Sequence, residues 1–182
     1  MTFCPLYATL PVNYLRLGNY KIMHTVRIGS VFKVKSSGGN RYFQFVGRDD
    51  GLMGSDVIAV FEGTHNTELP TETITKLAVE FFSHTYPQAG MPEFWEFVGS
   101  TEPVSMEEAR FADVDMARES RDPAEGDSKF WQIWRPGGAR ELLGEFNNLP
   151  PGTELGALFP PEAMHRRITS GKYGQAFYGH SF

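Results

Sequence analysis

Residues 30–47 read SVFKVKSSGGNRYFQFVG, two alternating apolar runs around a Ser-Ser-Gly-Gly-Asn turn. Gly and Asn tolerate the positive φ that tight hairpins need. On the return run, Phe43 and Phe45 alternate with Tyr42 and Gln44, the period of a strand with one apolar face. The pattern predicts a hairpin over 30–36 and 41–48. Asp49-Asp50-Gly51 then heads a second turn through Ser55. Residues 56–62 carry Val57, Ile58, Val60 and Phe61, a third strand, so a three-strand meander is expected.

Downstream, Thr71 is a candidate N-cap for a short helix over 70–76, with Ile74, Leu77 and Ala78 at helical spacing. Residues 79–84 and 93–99 read as strands, joined by a Pro- and Gly-containing connection at 86–91. Residues 130–134 form another strand, and Pro136-Gly137-Gly138 turns it back into 140–145 as a second hairpin. Pro160-Pro161-Glu162 opens a helix that runs to about Ser170, since proline is welcome in a first turn, and Gly171 ends it. The predicted class is α+β, mostly β: a twisted antiparallel sheet or a small, partly open barrel with a short C-terminal helix.

The 182 residues amount to one domain. Residues 1–22 lack a regular period and are read as an N-terminal extension, with Met23 a candidate native start. The domain proper spans 23–173, and 174–182 form a tail. Hydrophobic residues are 41% of the chain, including 15 Phe, enough for an aromatic core. No run approaches a membrane span and no charged start precedes an apolar block, so a cytoplasmic protein without membrane contact is expected. Cys4 is the single cysteine, which gives no internal disulfide.

The net charge of -5 argues against nucleic acid as a partner and suits a basic one. Residues 101–129 hold nine acidic residues against four basic, as much net charge as the whole chain. They read as a long polar excursion, expected to be mobile.

Chemistry-bearing motifs are sparse. His24, His65, His84, His165 and His180 lack metal-ligand spacing, and Cys4 lies outside the patterned domain. No G-x-S-x-G elbow is present, and no helix follows the Gly-rich turn to make a phosphate cradle. No catalytic residue, cofactor or metal is therefore expected. The paired carboxylates, such as Asp49 with Asp50, read as solvated surface or as an acidic face for a basic partner. Trp131 and Trp134 have odd spacing, so they cannot both face one core from a regular strand. A bulge, an exposed Trp or a core on both faces would each resolve it.

The order of these motifs resembles the immunity protein 26 family, small cytoplasmic proteins linked to bacterial polymorphic toxin and contact-dependent growth inhibition systems. The resemblance spans roughly residues 26–173. It rests on Ile28-Gly29-Ser30 with the strand to Lys35, on Gly39 with Arg41–Phe45, and on Val57–Gly63. Phe81-Phe82 to Pro87, Trp131–Trp134 with Leu149-Pro150, and Arg167-Ile168 before Gly171 complete it. Ser30 stands where the family has an acidic residue, and the acidic stretch 112–128 is longer than the family's loop. The resemblance implies a β-rich fold and neutralisation of a cognate toxin, such as a basic nuclease, by direct protein contact. Asp49, Asp50, Asp113, Asp115, Glu119, Asp122 and Trp134 are the contact candidates. Two alternatives stand beside it: a hydrolase-type enzyme around His84, Tyr86 and Glu93, and a structural or regulatory binding protein without a toxin partner.

Overall fold

The structure is a computed structural model that describes residues 14–17, 20–23, 25–50, 54–119 and 128–173. Asp122 and the tail 174–182 lie outside the described residues, as does most of the 1–22 segment. What is described there is a two-stranded antiparallel sheet, β1 (Tyr14–Leu17) with β2 (Tyr20–Met23).

The expected meander forms as β3 (Ser30–Ser36), β4 (Gly39–Asp49) and β5 (Ser55–Phe61). Adding β6 (Val79–His84) and β7 (Glu96–Ser100) gives a five-stranded antiparallel sheet in the order β6-β5-β4-β3-β7. The short helix α1 covers Thr71–Ile74. Pro70 occupies its N-cap position and no side chain caps it, so Thr71 is not the cap that its position suggested. β7 starts at Glu96, three residues later than expected. Phe94 N–H closes a turn onto the Gly90 carbonyl, and the Trp95 indole is drawn inward to donate to the Pro87 carbonyl at 2.6 Å.

A second, four-stranded sheet runs β10-β9-β8-β11. Its hairpin, β9 (Trp131–Trp134) with β10 (Glu141–Gly144), is the one read from the sequence. β8 (Phe111–Val114) is not: it lies inside the segment expected to be a mobile excursion. It pairs antiparallel with β9 and parallel with the two-residue β11 (Glu154–Leu155). The front of the excursion is also tied down. Buried Gln44 donates to the Glu102 carbonyl at 3.0 Å and accepts from Val104 N–H at 2.9 Å. Its polar composition misled because the backbone is held inward while Glu102, Glu107 and Glu108 face solvent.

The five-stranded sheet is covered on both faces. Phe32, Val34, Phe43, Phe45, Ile58 and Val60 pack against helix α2 (Pro161–Ser170) through Met164 and Ile168. Gly171, at φ 75°, ends that helix in the left-handed region. On the other face, Val46, Val57, Ala59 and Phe82 pack against Phe111 and Trp134 of the second sheet. The architecture is therefore helix, sheet, sheet, mostly β, with no closed barrel among the described residues. No helix among them is long and apolar enough to cross a membrane.

The odd spacing of the tryptophans is resolved by two cores. Trp134 faces the first sheet, while Trp131 faces outward onto Phe146 and Leu149 from a 3-10 turn (Phe146–Asn148). Gly156 lies flat under Trp134; a Cβ there would overlap the indole.

Candidate functional site

Three arrangements bring polar side chains together. The first is an open recess of about 590 Å³ beside the start of α1. Val31, Lys33 and Lys35 share one face of β3 by alternation. Lys33 is only 6% exposed and lies at the floor, bonded to Glu68 and, at 2.9 Å, to Glu96. Exposed Lys35 also reaches Glu96 at 3.0 Å. The Glu68 bond holds the Lys33 ammonium above its ordinary range against its desolvation, and Lys33 with Lys35 hold the Glu96 carboxyl below its own. Glu72 stands on the rim, facing solvent. Three carboxylates against two ammonium groups leave the recess one negative charge in excess. Sequence reading missed it because Glu68, Glu72 and Glu96 come from three separate elements. The available signal was Lys33 itself, a charge set between Phe32 and Val34.

The second arrangement is buried between the sheets. Asp49 closes β4, and its carboxylate accepts from Trp134 Nε1 at 2.9 Å, from Gly137 N–H at 3.1 Å and from His84 Nε2 at 3.2 Å. Asp49 and His84 are 0% exposed and Trp134 3%. Burial pushes the Asp49 carboxyl up, but the Gly137 amide, the indole and the imidazole outweigh it and hold it below the usual carboxylate range. Burial likewise takes His84 below the usual imidazole value, more than Asp49 raises it. This array corrects two expectations. Neither Asp49 nor Trp134 is a surface contact, because each satisfies the other where water is excluded.

The third arrangement ties α2 to the sheets. Arg167 bonds Glu154 of β11 at 2.7 Å and lies over the rings of Phe81 and Tyr173, while Tyr173 and Ser83 share a hydrogen bond of 3.2 Å. Burial pushes the carboxyl of Glu154 and the phenol of Tyr173 upward. All four groups are interior or nearly so.

Of the remaining contact candidates, Asp50 is exposed as expected. Asp113, Asp115 and Glu119 lie on β8 and the turn after it and are half-buried. Asp115 is committed to its own turn: it accepts from Ala117 N–H at 3.2 Å and pairs with Arg118 at 3.2 Å. His84, Tyr86 and Glu93 are not brought together: His84 is interior, while Tyr86, 41% exposed, and Glu93 face solvent. Among the described residues, no group of three or more His, Cys, Asp or Glu is placed to hold a metal ion.

Comparisons with protein-family models, with curated proteins and with solved structures find no match for this chain.

Proposed function

We propose that this chain is a protein-binding domain that neutralises a cognate toxin by direct contact, the role implied by its resemblance to the immunity protein 26 family. The observation that supports the reading is the acid-rimmed recess at Glu68, Glu72 and Glu96. Its surplus negative charge suits a lysine or arginine of the partner. A basic toxin surface would supply such a side chain. Asp50 and the half-buried Asp113 and Glu119 would add negative charge outside the recess. Lys33 pins Glu68 and Glu96 in advance, so little side-chain freedom remains to be lost on binding.

The test is co-expression with the toxin domain encoded beside this chain's gene. Growth should be rescued by the unaltered chain. Glu72→Lys should slow association with the purified toxin domain by about tenfold at low salt and much less at high salt, because a rim charge acts through long-range attraction. Absence of a toxin domain from the adjacent reading frames, or a failure to rescue growth, overturns the reading. An association rate indifferent to Glu72→Lys removes the recess from it.

A further inference from the structure

The buried array between the sheets has a property that the packing around it does not require. An ionised Asp49 can only accept hydrogen bonds, so His84 must carry its hydrogen on Nε2. Its other nitrogen, Nδ1, is then a bare lone pair, and it is buried without a partner. A lone pair in that position costs little. A second proton must go to Nδ1, and there it becomes a charged N–H with no acceptor, which an apolar interior penalises heavily. The ring cannot satisfy that N–H without leaving its place 3.9 Å from the Phe111 ring.

We propose that Asp49, His84 and Trp134 form an acid-released latch, which holds the β9–β10 hairpin on the five-stranded sheet while His84 is neutral and loosens it when Nδ1 is protonated.

The geometry gives the latch its direction. Trp134 ends β9 and Gly137 lies in the β9–β10 turn, so two of the three donors to Asp49 come from this one hairpin. His84 closes the third side from β6. If the imidazole swings out, Asp49 loses a donor and meets water, and the hairpin loses its anchor. A second surface depends on the same anchor. Trp134, Arg135, Gly138 and Ala139 line a groove of about 500 Å³ with Ile133 and Leu143, so its shape holds only while the latch is closed.

The charged groups around His84 leave Asp49 as its ionisable partner. Asp56, next to its β5 register partner Val57, pairs with Arg48 at 3.5 Å. Asp113 is two residues along β8 from Phe111, and Arg140 lies over the far side of Trp134, 5.1 Å from the ring centroid. Asp56 titrates in the same interval as a histidine, so the test carries Asp56→Asn as a background control.

The experiment follows the three tryptophan indole N–H signals of the full chain by NMR from pH 7.5 to pH 5, with Trp134 assigned by Trp134→Phe. Amide exchange in 131–144 is read as a ratio to amides of β3–β5, which cancels the intrinsic pH dependence. The expected result is a shift of the Trp134 signal that tracks imidazole protonation of His84. The exchange ratio should rise with it, by up to about tenfold per pH unit, the limit for one linked proton. His84→Gln keeps an amide donor near the Nε2 position without the titration and should abolish both effects. Persistence of either effect in His84→Gln overturns the proposal. If that variant does not fold, the unaltered chain decides alone. A His84 ring that stays neutral until the whole protein unfolds, or that titrates while Trp134 does not move, also overturns it.

Discussion

The two faces of the five-stranded sheet solve the same burial problem with different chemistry. Toward α2 the sheet presents Phe32, Val34, Phe43, Phe45, Ile58 and Val60, closed by Met164 and Ile168. The contacts there are ring on ring: Phe43 lies 4.8 Å from Phe32 in a stacked pair and 5.2 Å from Trp95 edge-on. Toward the second sheet the apolar residues Val46, Val57, Ala59 and Phe82 share the surface with Gln44, Asp49 and His84. An apolar face adheres without regard to the angle of its partner, because hydrophobic attraction is not directional. A polar face adheres only when each donor meets its acceptor, so it fixes the register of what docks there. The helix needs the first kind of face. The second sheet, whose strands are two to four residues long, needs the second.

This contrast predicts an order of effects. Phe43→Ala should be the most damaging substitution on either face, lowering stability by about 4 kcal/mol in chemical denaturation, since it empties a fully buried aromatic site. Asp49→Ala should cost somewhat less, about 3 kcal/mol, because it strands the Trp134 and Gly137 donors but admits water at the end of a strand. The two should differ in kind as well. Phe43→Ala should weaken the whole protein, whereas Asp49→Ala should raise hydrogen exchange first in 131–144. Equal exchange throughout both variants would erase the distinction between the faces.

The helix-side face was readable in the sequence and the polar face was not. β3, β4 and β5 are joined by short turns, so each strand's alternation is visible beside its partner's. Pro160-Pro161 and Gly171 bracket α2 with local signals. β8 offers only Phe111, Ala112 and Val114 as apolar residues, embedded in an acidic segment, and it pairs with Trp131–Trp134 some twenty residues away. Asp49 misled for a similar reason. Beside Asp50 and Gly51 it looks like a solvated turn, and Asp50 is indeed exposed. The three donors that draw Asp49 inside lie 35, 85 and 88 residues further along the chain. Lys33 of the recess is met by Glu68 and Glu96 at comparable remove. Local pattern carries the five-stranded sheet and the β9–β10 hairpin; β8 and the candidate sites are made by contacts that no window of sequence contains.

Two aspartates at the same end of the β4–β5 pair carry the same contrast on a smaller scale. Asp49 pairs in register with Ser55, and Asp56 with Arg48. By alternation Asp56 falls on the side of Ile58 and Val60. There it lacks the donors that Asp49 has, and burial pushes its carboxyl up to about 6, with only Arg48 pulling it back. Its contribution to stability is therefore complete below the ordinary aspartate value and is lost as pH rises through 6. Above that point the folded chain holds an ionised carboxylate against its surroundings. Asp56→Asn should raise stability at pH 7.5 by about 1 kcal/mol and leave it unchanged near pH 4, where the native carboxyl is already neutral. Asp49 and His84 titrate in the opposite sense: both are held low in the folded state, so stability falls on acidification, first through His84. In the unaltered chain the two limbs offset one another between pH 4 and pH 6.5. Removing Asp56 should uncover the His84 limb as a steeper loss of stability from pH 7.5 to pH 5. A parallel pH profile in Asp56→Asn and the unaltered chain would mean that the surroundings do not raise the Asp56 carboxyl, and the contrast drawn between the two aspartates would fail.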